Sequence, residues 1–266
     1  MENSKRKLML KTTANEVITA ILRIVWISLV LIAFYPQDMC RSSERIIDNK
    51  IDISEKIIHN DIKYLNEDIK MPVFVNGSNK ENEKRINSIL YKDIVGRVTE
   101  TEKYVADEFK DINEKPLFPY EIKSIFVVTE KNKDIISLYN DYYEFLGGAH
   151  GSTTRTGYTV DRNSEKILGI KELFLDEYDY RSFINNKIKE NIRKEPDKYF
   201  YTADNFKGIS DNQGFYIKDG NLIVFFEQYE IAPYVAGIPE FLIPIKEFGK
   251  NFKYELWIWF KSRYCL

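Results

Sequence analysis

The chain is poor in the side chains that most often carry chemistry. Its 266 residues include two cysteines, two histidines and three tryptophans. Cys40 and Cys265 lie near opposite ends, with no CxxC pair and no Cys/His cluster at metal-ligand spacing, which excludes zinc-ribbon and redox-motif architectures. Sequence leaves open whether these two cysteines form a disulfide or stay free thiols. Charge of one sign is also not in excess. Thirty-nine basic against 41 acidic residues give a net charge of −2, and the signs are interleaved, so there is no basic face for nucleic acid. Repeats of 20–50 residues and low-complexity segments are missing, which excludes solenoids and arrays. Nucleophile-elbow, zincin and nucleotide-loop patterns are missing as well, and no metal or organic cofactor is implied.

What is there is apolar surface. Hydrophobic residues make up 44% of the chain and aromatics 14%, enough for a substantial core. From Val17 to Tyr35 the run is apolar except for Thr19, Arg23 and Ser28, and it follows a head bearing Lys5, Arg6, Lys7 and Lys11. This is the pattern of an export or anchoring signal. Residues 1–16 are expected to be a short cytoplasmic head, 17–35 a signal anchor or transmembrane helix, and 36–55 a charged tether, with the remainder outside the membrane. The alternatives are secretion after signal cleavage, or a buried helix of a soluble domain. Cleavage is disfavoured because Ala33-Phe34-Tyr35-Pro36-Gln37 offers no Ala-x-Ala arrangement.

Beyond the tether the patterning predicts an α+β domain with mainly antiparallel sheets and two long amphipathic helices. An N-terminal subdomain (56–115) is expected to begin with two strands between Ile57 and Val75. A helix follows, opened by a capping box at Ser78 and Glu81 and carrying Ile86, Ile89, Leu90, Ile94, Val98, Val105 and Phe109 at helical spacing. A C-terminal subdomain (116–250) is expected to hold three hairpins: Tyr120–Thr129 with Ile135–Phe145, Ser152–Val160 with Lys166–Leu168, and Phe215–Ile217 with Leu222–Phe226. A helical turn at Ile170–Phe174, a second amphipathic helix through Tyr180, Phe183, Ile184, Ile188 and Ile192, and a short strand at Leu242–Ile245 complete it. Residues 251–266 form an apolar tail in which Leu256 to Phe260 suit either a terminal strand or an interfacial patch.

Two loops draw attention. Gly147-Gly148-Ala149-His150-Gly151 follows a strand and centres on a histidine, and Tyr229-Glu230-Ile231-Ala232-Pro233-Tyr234 leaves another. Imidazole titrates near neutrality, so His150 is the residue to test for general-base work, with Ser152, Thr153 or Thr154 as nucleophile and Glu144 or Asp161 as orienter. Its isolation favours a structural hydrogen-bonding role. Glu227 and Glu230 could act as paired carboxylates on a sugar stacked by Tyr229 and Tyr234, but carboxylates at this spacing are more often solvated loop charges. Tyr139, Tyr142, Tyr143 and Phe145 read as core and sheet face. His59, beside Asn60 and Asp61, lacks the partners a metal site needs.

These motifs carry a resemblance. Tyr142-Tyr143-Glu144-Phe145-Leu146 before GGAHG, the hairpin at Gly157–Asp161, the Leu173-Phe174 turn, and Phe225-Phe226-Glu227-Gln228 leading through YEIAPYVAG to Pro244 are similar to the extracytoplasmic domain of RsiV-type anti-sigma factors and PdaC-type peptidoglycan deacetylases. The similarity runs from about Ile57 to Phe248. It implies a protein of the Gram-positive cell envelope, and the domain in such anti-sigma factors senses lysozyme by binding it. Residues 1–16 are too few to fold around a sigma factor, and residues 246–266 too few for a metal-dependent catalytic domain, so neither of those activities is expected. The expected function is a membrane-anchored binding or sensing domain for peptidoglycan or a lysozyme-like protein, not an enzyme. Its ligand-binding residues would be Gly147, Gly148, His150, Glu227, Tyr229, Glu230 and Tyr234. A cell-wall hydrolase using His150 and a regulatory partner of another membrane protein are the alternatives.

Overall fold

The computed structural model describes residues 50–111 and 116–254. The expected head and anchor segment, residues 36–49 of the expected tether, both cysteines and the apolar residues after Tyr254 lie outside the described residues. Among those described, no helix is long and apolar enough to cross a membrane.

Two antiparallel strands open the domain, β1 (Asp52–Ile62) and β2 (Leu65–Val75), joined at Lys63-Tyr64. β1 therefore begins inside the stretch expected to be tether, because Ile51 is fully buried and draws the start of the strand into the core. Helix α1 (Lys80–Glu108) follows and returns the chain to β3 (Tyr120–Lys131). Its apolar stripe, Ile86, Leu90, Ile94, Val98 and Val105, is buried against the sheet. Each such side chain contributes on the order of 1.5–3 kcal/mol of transfer free energy. The expected capping box is displaced by one residue. Asn79 is the N-cap, its Oδ1 accepting from the N–H groups of Glu81 and Asn82 at 3.0 and 3.1 Å. Ser78 cannot cap, because its hydroxyl and N–H both donate to Glu165 Oε1 at 2.6 Å.

β3 pairs with β4 (Ile135–Phe145), β4 with β5 (Ser152–Asp161), and β5 briefly with β6 (Lys166–Ile167). The six strands lie in sequence order, all antiparallel except β2 with β3. That parallel pair needs a long crossover, which α1 supplies. A second sheet holds β7 (Phe215–Lys218), β8 (Asn221–Phe225) and β9 (Glu240–Pro244). The two sheets divide near residue 168, and the larger one runs straight across position 116.

The layers follow from which faces are apolar. One face of the large sheet, with Leu138, Tyr158 and Val160, packs on Ile86 and Leu90 of α1. The opposite face carries Tyr139, whose ring lies 5.0 Å from that of Tyr216 in the second sheet. The outer face of the second sheet, with Leu222, Val224 and Ile243, packs on Ile184, Ile188 and Ile192 of helix α2 (Tyr180–Lys194). A buried polar joint fixes the two sheets: Ile217 N donates to Ser137 Oγ at 2.8 Å, and Thr129 Oγ1 donates to Ile217 O at 2.7 Å. One residue of β7 thus has both backbone groups satisfied across the interface, which sets its register there.

Candidate functional site

The GGAHG segment is the loop between β4 and β5. Gly147 and Gly148 have φ of 89° and 87°, the left-handed region that costs an L-residue roughly 1–2 kcal/mol. Gly151 is required for a different reason: a Cβ there would lie 2.5 Å from Glu144 O and from the Tyr143 ring. The loop therefore turns sharply and holds Ala149 and His150 outward, both exposed.

The Tyr229–Gly237 segment joins β8 to β9. Ile231 and Ala232 are buried and pin it to the core, and Phe200 N donates to Ile231 O at 2.8 Å. Tyr229 has φ of 65°, uncommon for an aromatic residue, and the residue is 56% exposed. Strain of this kind persists only where the surroundings dictate it.

The two loops meet. The His150 and Tyr234 rings stack at 4.0 Å and 20°, and Tyr229 extends the stack at 5.6 Å and 30° from Tyr234. Tyr234 Oη donates to Gly151 O at 2.9 Å, and His150 Nδ1 lies 3.0 Å from the same oxygen. A carbonyl only accepts, and has two lone pairs, so both groups donate to it and Nδ1 carries the hydrogen. Beside the stack, Val235 is 91% exposed.

Beneath the rings, side chains from the second loop cap the outer edge of β5. Thr153 N donates to Gln228 Oε1 at 2.8 Å and Arg155 N to Glu227 Oε2 at 3.3 Å. Glu227 N in turn donates to Glu230 Oε2 at 2.9 Å. Burial pushes the Glu227 carboxyl up, and its neighbour Glu230 adds to this, against the Arg155 N–H and the Arg97 and Arg155 charges. Sequence reasoning overlooked Arg155. Its guanidinium bonds Asp141 in bidentate fashion at 2.6 and 2.7 Å, pairs with Glu240 across the sheets, and lies 3.9 Å from the Tyr139 ring centre. An arginine between threonines in a strand looks like any solvent-facing charge. Only the alternation with Gly157, where a Cβ would meet the Phe215 carbonyl, hinted that this face of β5 is covered.

Two concavities flank the joined loops. One, about 390 Å³, is lined by His150 with Phe118, Tyr143 and Phe145. The other, about 370 Å³, is lined by Glu227, Glu230 and Arg155. Gly147, Gly148, His150, Tyr229 and Tyr234 thus cluster at one exposed end of the domain, while Glu227 and Glu230 turn toward the second concavity.

This arrangement does not supply an activated nucleophile. The His150 ring contacts the Gly151 carbonyl and Tyr234 and, among the described residues, bonds to no Ser, Thr, Asp or Glu side chain. Asp161, considered as an orienter, sits at the far end of β5, accepting from Tyr254 Oη at 3.1 Å. Glu144 faces α1 and accepts from Thr101 Oγ1 at 3.4 Å. The Glu227 and Glu230 carboxylates are occupied with backbone N–H groups. Among the described residues no group of three or more His, Cys, Asp or Glu side chains is placed to hold a metal ion.

Comparison with known proteins agrees with this architecture. Residues 58–153 match the family described as Deacetylase PdaC, and residues 171–246 match the Protein of unknown function (DUF3298) family. The anti-sigma-V factor RsiV of Bacillus subtilis (strain 168) is 28% identical over 187 residues, covering 66% of this chain and 62% of RsiV. The peptidoglycan-N-acetylmuramic acid deacetylase PdaC of the same organism is 22% identical over 183 residues, covering 67% of this chain and 37% of PdaC. The chain therefore spans less than two thirds of the length of either relative. Crystal structures of DUF3298 proteins from Bacteroides fragilis NCTC 9343 and Pseudomonas aeruginosa PAO1 share the fold, with TM-scores of 0.58 and 0.55 at 17% and 15% identity. They cover 77% and 78% of this chain, and 94% and 96% of their own lengths. A PdaC-type segment running from within β1 to the start of β5, followed by a DUF3298 segment carrying α2 and the second sheet, makes this an RsiV/PdaC-like domain.

Proposed function

We propose that the domain is an extracytoplasmic sensor that binds a lysozyme-like, wall-active protein through the face formed by Ala149, His150, Tyr229, Tyr234 and Val235. The observation that carries this reading is the ring stack bonded through Gly151, which presents exposed apolar groups on a rigid base. Tyrosines with few free torsions, held in place before binding, are the usual anchors of protein interfaces. Similarity to RsiV supports the sensing role.

The face lies at the end of the domain opposite its first described residues. The described chain enters at Lys50, whose Nζ donates to Lys133 O and Asn163 Oδ1 at 2.7 and 2.6 Å, at the β3–β4 and β5–β6 turns. The GGAHG loop lies at the opposite end of β4, eleven residues or roughly 35 Å away.

The test is binding of the full chain to c-type lysozyme and to soluble muropeptides by biolayer interferometry. Lysozyme should be retained, and Tyr229→Ala and Val235→Asp should each weaken it at least about tenfold with the unfolding midpoint unchanged, as for an interface anchor. Retention of muropeptides but not lysozyme would assign the face to the wall itself, and retention of neither would sink the sensing reading.

A further inference from the structure

The outer edge of β5 is treated unevenly along its length. The N–H groups of Thr153 and Arg155 point away from β4 and are capped by Gln228 and Glu227. At the other end, Leu168 N closes the edge on Thr159 O at 2.7 Å. The β4–β5 register is unbroken from Ile135↔Asp161 to Glu144↔Ser152, so alternation also turns the N–H and C=O of Gly157 outward. Among the described residues no strand pairs with Gly157 along this edge, although the Phe215 carbonyl of β7 packs against its face. Arg155, Thr156 and Gly157 instead line the 370 Å³ concavity, at the small end of the range for ligand pockets.

The opposite wall is a built structure. It is the Ser210–Phe215 segment, fixed by Gln213, whose Nε2 donates to Phe225 O at 2.6 Å while its Oε1 accepts from Ser210 N at 3.1 Å. Phe225 N donates to Gly214 O at 3.1 Å. The charge of the lining is acidic in effect. Arg155 is already matched by Asp141 and Glu240, and Asp211 pairs with Arg181, while Glu227 and Glu230 have backbone N–H partners and, among the described residues, no salt bridge, the Arg97 and Arg155 charges acting on Glu227 only from a distance.

We propose that this uncovered window of β5 is a strand-addition site for a short extended peptide, whose backbone pairs with Gly157 and whose cationic side chain ends beside Glu227 and Glu230. Strand addition draws affinity from main-chain bonds and specificity from the side-chain pocket. A window of about one residue pair limits the guest to two or three residues, so binding is weak, and it selects Lys or Arg over Glu by charge. The site is separate from the ring-stack face and stands whether or not lysozyme binds there.

The glycines separate the two sites experimentally. In the full chain labelled with ¹⁵N-glycine, Gly157, Gly169 and Gly214 report on this concavity, and Gly147, Gly148 and Gly151 report on the ring-stack loop. Titration with acetyl-Ala-Lys-Ala-amide should move the Gly157 and Gly214 amides and leave the GGAHG amides in place. The Glu-centred peptide and the backbone N-methylated Lys peptide should each bind at least about tenfold more weakly. Glu230→Gln should weaken the Lys peptide several-fold with no change in unfolding midpoint. Equal binding of the Lys and Glu peptides, indifference to N-methylation, or shifts confined to the GGAHG glycines would overturn the proposal.

Discussion

Arg155 is the residue whose loss should be felt most at the joint between the sheets. Its guanidinium spans Asp141 on β4 and Glu240 on β9 and rests on Tyr139, and its side chain is only 12% exposed. Arg155→Met keeps much of the volume and leaves two carboxylates facing each other without their cation. Breaking one partner of a fully buried pair costs about 3–5 kcal/mol, but Asp141 is 28% exposed, so about 2 kcal/mol is the appropriate share. Glu240 is 39% exposed, and its pair is worth about 0.5 kcal/mol. Loss of the ring contact adds about 0.5–1 kcal/mol. The sum is roughly 3 kcal/mol, or a fall in melting temperature of roughly 6–12 °C for a domain of this size. Urea unfolding of wild type, Arg155→Met, Asp141→Asn and the double variant measures it. The double variant should be more stable than the two single losses summed, with a coupling of at least about 1 kcal/mol. A single-variant loss below about 1 kcal/mol, or additivity within about 0.5 kcal/mol, would refute the assigned role.

Gly157→Ala should destabilise by about 2–3 kcal/mol, since its Cβ would collide with the Phe215 backbone and not with a movable side-chain tip; thermal unfolding checks this. Gly96→Ala should do the reverse. Position 96 lies inside α1 with open space around it, so removing glycine's excess unfolded-state freedom should add about 0.5–1 kcal/mol in the same assay. Glu165 gives a pH-dependent effect. Burial pushes its carboxyl up, but donation from the Ser78 hydroxyl and from the Ser78 and Asn79 N–H groups outweighs this and holds it below its ordinary 4.5. A carboxyl depressed by folding stabilises fully above its unfolded value and loses that contribution as pH falls through its folded value. Glu165→Gln should therefore cost about 1–2 kcal/mol at pH 7, and the gap from wild type should narrow below about pH 4.5, as measured by urea midpoints across pH.

Most elements were legible because their signals are local. β-Branched and aromatic content in Ile135–Phe145, the hairpin turn beyond Ser152–Val160, the 3.6-residue stripe from Ile86 to Val105, and the charged turn at 130–134 all act within a few residues, and the strands and helices fall there. What escaped depended on partners distant in sequence. β2 and β3 pair in parallel because α1 intervenes, yet strand patterning alone does not give direction. Ser78 lost the N-cap to Asn79 because Glu165, 87 residues away, took its donors.

The candidate site divides the same way. The sequence by itself determined that Gly147 and Gly148 mark a left-handed turn and that a histidine and two tyrosines sit in loops, since backbone sterics and side-chain chemistry travel with each residue. Only the tertiary structure decided that Tyr234 reaches Gly151 across 83 positions, that His150 stacks on it, that Glu227 and Glu230 turn toward a different concavity, and that Arg155 holds the joint below them. Those contacts exist because two sheets close on each other, and the sequence separation they span carries no local signal.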